Sequence, residues 1–206
     1  MFDLSLSRIV LTLPGILLGL TIHEYSHALS AYYMGDNTAK YYGRLSLNPL
    51  KHIDPVGFLM LLFAGFGWAK PVPINPDNFK NRKLGYFIVS VCGPLSNFIF
   101  AIVLAFILGF QITLGNNRII EQIIFFAINI NIVLGVFNLF PIPPLDGSKM
   151  LLLVLPESME RNYYKIQRYS HVLLFILLYL GVISKVLFPI VRFILNYVLR
   201  ILTLFF

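Results

Sequence analysis

Residues 6–34 read LSRIVLTLPGILLGLTIHEYSHALSAYYM. About 20 helical residues cross the hydrocarbon core of a bilayer, so this stretch is long enough to span one. Gly35-Asp36-Asn37 supplies turn chemistry at its end. Inside it sits His23-Glu24-Tyr25-Ser26-His27, an H-E-x-x-H pattern. On a helix, residues four apart share a face and lie about 6 Å apart along the axis, so His23 and His27 can bind one Zn²⁺ together. Glu24 is turned by about 100° from His23. It can reach a water at that ion without ligating it, which suits a general base. Two imidazoles and a carboxylate in an apolar helix cost about several kcal/mol if left unsatisfied. The alternative to a metal site is a polar cluster satisfied between helices.

The rest of the chain sets the context. Of its 206 residues 58% are hydrophobic and 12% charged, and mean hydropathy is +0.79. A soluble domain carries about 25% charged residues. Half that density cannot solvate the surface of a soluble protein this size, so the class is an all-α polytopic membrane protein. The formal net charge is +7. Its basic residues lie in loops between apolar stretches, which indicates membrane orientation rather than nucleic-acid binding. One cysteine, Cys92, excludes a disulfide framework and a thiolate metal site and reads as core filling. The N-terminus lacks the basic region of a cleaved signal peptide. With no internal repeat or linker, residues 1–206 read as a single membrane domain.

Four to six spans are expected. After the first, residues 38–56 hold Gly43, Pro49, Pro55 and an alternating stretch, Tyr41 to Leu47, which read as strand-like or looped structure at the membrane surface. Gly57 to Trp68 is apolar but too short to cross, so a re-entrant segment is expected. Further spans are expected at Leu84 to Ile112, interrupted at Gly93-Pro94, at Ile119 to Phe140, and at Ser170 to Phe188. After Pro189, Arg192, Asn196 and Arg200 recur every four residues on one face, giving either an interfacial helix or a fifth span. Residues 70–83 and 149–168 are rich in Lys and Arg and should face the cytoplasm, with 113–118 outside.

Zinc at a catalytic site usually takes three protein ligands and one water. Residues 28–36 offer no convincing third ligand, since Asp36 belongs to a turn. The outstanding candidate is Asp146, in Asn138-Leu-Phe-Pro-Ile-Pro-Pro-Leu-Asp-Gly147, just past a proline-rich break. Broken backbone at membrane depth is tolerated where it lines a cavity. Read alone, Asp146 could equally be an N-cap of the next helix. His52 is a ligand by residue type but reads better as a surface or interfacial histidine. His171 is given no role, and Trp68 reads as an interface anchor.

His23-Glu24-x-x-His27 in a first helix, with Leu145-Asp146-Gly147 far downstream, resembles the site-2 protease family of intramembrane metalloproteases, and the resemblance covers most of the chain. It implies that His23, His27 and Asp146 bind zinc, one ion per chain, and that Glu24 is the catalytic acid/base. Short prokaryotic members are similar at Gly43-Arg44-Leu45-Ser46-Leu47-Asn48-Pro49, Lys51-His52-Ile53-Asp54-Pro55, Ala69-Lys70-Pro71-Val72-Pro73 and Gly93-Pro94-Leu95-Ser96-Asn97. No PDZ or CBS domain is visible, so substrate selection falls to the membrane domain or a partner. Asn138, in the family's N-x-x-P-x-P-x-L-D-G pattern, resembles a residue that holds substrate or stabilises the oxyanion. An interhelical hydrogen bond explains it equally well. Asn97 is a weaker candidate of the same kind, and Asn48 and Asp54 are candidate walls of a water channel, Asn48 also for substrate binding.

The expected function is zinc-dependent endopeptidase action on transmembrane or membrane-associated proteins. The setting is a prokaryotic cell membrane, with the active site toward the cytoplasm and an adaptor or second copy as further partners. Because a membrane helix hides its peptide bonds, the 38–48 stretch is a candidate for pairing with an unwound substrate by strand addition. Two alternatives differ in class. A non-proteolytic membrane binding protein would have no use for Glu24. A metal transporter would need further His and Asp across several helices, and one compact set is present.

Overall fold

The computed structural model of the chain describes residues 6–64, 67–115, 117–202 and 205. The helices are α1 (Leu6–Met34), α2 (Thr38–Tyr41), α3 (Pro55–Ala64), α4 (Arg82–Thr113), α5 (Arg118–Asn138), α6 (Asp146–Met150), α7 (Glu157–Gln167), α8 (Ser170–Tyr179) and α9 (Val182–Leu202). Four of them, α1, α4, α5 and α9, are long and apolar enough to cross a membrane. Their starts follow from local chemistry. Asn81 caps α4 by accepting from Leu84 N–H, and Asn117 caps α5 by accepting from Ile119 N–H.

Helices α1, α4 and α5 pack mutually, and α9 lies against α5 and α4. Apolar side chains gain little by leaving lipid, so small residues and close backbone approach must hold such a bundle. Gly15 of α1 does this, since its backbone sits directly against Ala127 of α5. The outer faces carry exposed Ile99, Ile102, Val103 and Phe110 on α4 and Phe188 and Phe193 on α9. Apolar exposure on this scale suits lipid and not water. The chain is therefore a helical, integral membrane protein.

The two basic stretches meet at one end of the bundle, where Lys83 at the start of α4 pairs with Glu160 of α7 at 3.0 Å. The expected spans at 84–112 and 119–140 correspond to α4 and α5, and Gly93-Pro94 does not interrupt α4. The expected span at 170–188 is corrected. Gly181, at φ 69°, closes α8 after ten residues, about 15 Å of helix and too short to cross. The fourth helix long and apolar enough to span is α9, which continues through Pro189. Proline is tolerated there because packing by Ile183, Leu187 and Val191 against the bundle holds the helix despite the lost hydrogen bond.

The segment after α1 is looped rather than strand-like. Thr38–Tyr41 is a helical turn, and Gly43 at φ 65° reverses the chain. Among the described residues the only β pairing is an antiparallel bridge between Ile53 and Ala69. Strand addition at 38–48 thus lacks its strand. The bridge brings together the two ends of the short apolar segment, most of which forms α3. Residues 65 and 66 of that segment, and 203, 204 and 206 of the C-terminal one, lie outside the described residues.

Asp36 is fully buried and is more than a turn residue. Its carboxylate accepts from Asn75 N–H at 2.7 Å, Asn78 Nδ2 at 2.8 Å, and both the backbone N–H and the hydroxyl of Thr38. It ties the end of α1 to the loop leading into α4. Burial alone would raise its pKa, but these hydrogen bonds outweigh burial and hold it below the ordinary carboxylate value. The clamp therefore contributes stability above about pH 4 and loses it as pH falls through the lowered folded-state value. Asp36→Asn is expected to destabilise by about 1–3 kcal/mol at pH 7 and to flatten the acid limb of the stability curve. Thermal melts in detergent at several pH values check this, and a variant that melts like wild type at pH 7 refutes it.

Candidate metal centre

Three side chains from two helices converge inside the bundle. His23 and His27 project from the second half of α1, and Asp146 begins α6 just beyond the proline-rich break. All three are buried. His23 Nε2 and His27 Nε2 lie 3.0 Å apart. Asp146 Oδ2 lies 3.1 Å from the first and 3.0 Å from the second. The site is about 10–17 Å of helix from the α1 terminus at the basic end of the bundle.

The outer nitrogens decide what the inner ones can do. His27 Nδ1 lies 2.7 Å from the carbonyl oxygen of Val89 in α4. A carbonyl only accepts, so Nδ1 carries the proton and Nε2 of the neutral ring presents a lone pair. His23 Nδ1 lies 2.7 Å from Asn97 Oδ1. The Asn97 amide cannot be reversed, because its Nδ2 donates to the carbonyl of Gly19 at 3.0 Å and to Asn131 Oδ1 at 2.9 Å. Asn131 is fixed in turn, its Nδ2 donating to the Ala127 carbonyl at 2.8 Å. The relay thus runs in one direction from α5 through α4 to α1, and it fixes the proton of neutral His23 on Nδ1.

With both rings neutral, two imidazole lone pairs and a carboxylate oxygen face one another about 3 Å apart, an arrangement that a cation between them would stabilise. Donors bound to zinc at about 2.0–2.1 Å in a tetrahedron stand about 3.3 Å apart. The observed separations come within a few tenths of an ångström of that, so the residues present fit a zinc ion.

Backbone glycines make room for this set. A Cβ on Gly93 would lie 2.4 Å from His27 Nε2 and 2.8 Å from His23 Cε1. A Cβ on Gly147 would lie 2.1 Å from the Leu139 carbonyl oxygen, so the residue after Asp146 must be glycine for α6 to dock against the end of α5.

The chain is similar to "Putative zinc metalloprotease YwhC" of Bacillus subtilis (strain 168), 38% identical over 180 residues that cover 84% of this chain and 82% of the relative. The chain belongs to peptidase family M50, the site-2 protease family. The family model matches residues 110–181. "Putative zinc metalloprotease Rip2" of Mycolicibacterium smegmatis is 28% identical over 189 residues, 88% of this chain and 71% of that protein. "Putative zinc metalloprotease MJ0611" of Methanocaldococcus jannaschii is 34% identical over 98 residues, covering 47% and 49%. No solved structure matches.

Within this M50 chain the other candidates separate. Glu24 is buried, and its Oε2 accepts from Val72 N–H at 2.8 Å, between the two prolines of Pro71-Val72-Pro73. Asn97 is fully buried in the relay behind His23. Asn138 donates to the Leu134 carbonyl of its own helix at 3.0 Å. Asn48 is exposed and caps a 3-10 turn through Leu50 N–H, and Asp54 caps α3 through Gly57 N–H. His52 is corrected. It is buried, not superficial, and its Nε2 meets the Ser46 carbonyl at 2.7 Å. It stands apart from the three-residue cluster. His171 has no place in that cluster either.

Three participants escaped the sequence reading. The Val89 carbonyl holds His27, Asn131 holds the Asn97 that bonds His23, and Lys149 donates to Asp146 Oδ1 at 2.7 Å. A polar residue inside the apolar run of α5 was the available signal for Asn131. By occupying Oδ1, Lys149 leaves Oδ2 alone toward the two imidazoles. Lys149→Met is expected to weaken zinc binding about 10–100-fold. Competition against a chelator measures this, and unchanged affinity would remove Lys149 from the metal centre.

Proposed function

We propose that this M50 metalloprotease is an intramembrane endopeptidase with one zinc per chain, cutting transmembrane or membrane-associated proteins from the cytoplasmic side of a prokaryotic cell membrane. The observation that carries the reading is the convergence of two imidazole nitrogens and a carboxylate oxygen within the helical bundle, one residue from a buried glutamate.

When bound, the zinc would be held by His23, His27 and Asp146 and would supply Lewis-acid polarisation of water and of the scissile carbonyl. Glu24 takes the proton from the attacking water and returns it to the leaving amine. The Val72 N–H holds Oε2, and Oε1 has no hydrogen-bond partner among the described residues, so one oxygen is anchored while the other is available for the proton. Asn97 and the Val89 carbonyl keep the imidazoles in one tautomer through the cycle. Asn138, at the end of the helix that leads to Asp146, is the residue we assign to holding the substrate carbonyl, which requires its amide to leave the Leu134 carbonyl. The short distance from the site to the basic end supports water entry and product release on that side.

The test is the position of the cut. Purified protein in liposomes is given single-span substrates, and the products are sized by mass spectrometry. Cleavage inside the hydrophobic stretch, abolished by a zinc chelator and restored by zinc, is the expected result. Cleavage confined to loops outside the stretch would refute the intramembrane reading while leaving the metalloprotease intact.

A further inference from the structure

We infer that the outward face of α9 is a docking surface for a transmembrane helix of a partner protein that carries a carboxylate near the middle of the bilayer. At 100° per residue, Lys185, Arg192, Asn196 and Arg200 fall within about 80° of arc on one side of α9, and all four are exposed. The opposite side, with Ile183, Leu187, Val191, Val198 and Leu202, is buried in the core shared with α4 and α5. The polar stripe therefore points away from the bundle. A shallow groove lined by Phe188, Pro189, Arg192, Phe193 and Asn196 opens along it.

Depth decides what the stripe can bind. Lys185 and Arg200 lie within one turn of the ends of α9 and can reach lipid headgroups by snorkelling. Arg192 is the midpoint of Val182–Leu202, about 15 Å of helix from either end, which matches half the hydrocarbon thickness. Its side chain does not cover that distance. Among the described residues it has no hydrogen-bond or ion-pair partner. A lone guanidinium at that depth is costly, and membrane proteins offset such a charge with a counter-charge on another helix. A second copy of this chain would bring the same cations and repel. A partner helix with Asp or Glu at the level of Arg192 supplies the complement. Asn196, one turn along, offers it an amide, and Phe188 and Phe193 flank the contact.

The test uses the full-length protein in liposomes and labelled 23-residue Leu/Ala helices with Asp, Leu or Lys at the central position, read by energy transfer. The Asp helix is expected to associate about tenfold more tightly than the Leu helix. Arg192→Leu should abolish that difference, and Arg192→Glu should transfer the preference to the Lys helix, with zinc content unchanged in both. Equal association of all three helices would overturn the inference, as would an Asp preference that survives Arg192→Leu. A stability that instead tracks the phosphatidylglycerol content of the liposome and is lost in Arg192→Leu would assign the stripe to lipid and also overturn it.

Discussion

Gly93→Ala is expected to empty the metal centre and abolish proteolysis while the protein remains helical. The added methyl would stand 2.4 Å from His27 Nε2, 2.5 Å from His27 Cε1 and 2.8 Å from His23 Cε1. These are atoms of the two imidazole rings at the candidate metal centre, held by their Nδ1 hydrogen bonds, not the ends of flexible side chains. Nor can α4 draw back, because the turns on either side of Gly93 carry the Val89 carbonyl and the Asn97 amide that hold the same two rings. Any retreat that relieves the clash breaks those hydrogen bonds. Zinc affinity is expected to fall at least about 100-fold, comparable to or beyond the loss of an outer-shell partner. Zinc retained after dialysis, far-ultraviolet dichroism and peptide cleavage measure the three parts. Cys92→Ala, one residue away, is the control and should retain zinc. A Gly93→Ala protein that binds zinc normally would mean that the rings sit elsewhere.

Glu24→Gln is expected to separate chemistry from metal binding. The substitution is nearly isosteric, and the amide oxygen can still accept from Val72 N–H. The three metal donors are untouched. What is lost is the ability to take and return a proton, a contribution of about 10²–10⁴-fold. Turnover should drop by that factor or more, with zinc content and KM close to wild type. If Glu24→Gln loses zinc, the glutamate helps to build the site. If it cuts at the wild-type rate, the base is another residue.

How much of this was legible beforehand differs by residue. His23, Glu24 and His27 were readable because their spacing is local and the helix geometry that pairs them is intrinsic. Asp146 was a candidate by residue type and by the proline-rich break, but read alone it was equally an N-cap, and its meeting with His27 across 119 residues is set by tertiary packing. The helix lengths of α4 and α5 followed from apolar runs of the right length. The α8–α9 boundary did not, because Pro189 carries a stronger local breaking signal than Gly181. The packing of Leu187 and Val191 against α4 and α5 overrides that signal. His52 was misplaced at the surface because its burial depends on the fold of a loop with no periodic pattern. Asn131 is part of a directional relay only because α1, α4 and α5 bring it beside Asn97, a fact no single segment contains.

The most direct test of the metal centre is zinc-edge X-ray absorption together with metal quantification on the purified full-length protein. The expected result is one zinc per chain, with two imidazole nitrogens and a carboxylate oxygen at about 2.0–2.1 Å and a fourth light ligand. No zinc, several exchangeable ions per chain, or a shell with sulfur or a third imidazole would contradict the assignment of His23, His27 and Asp146.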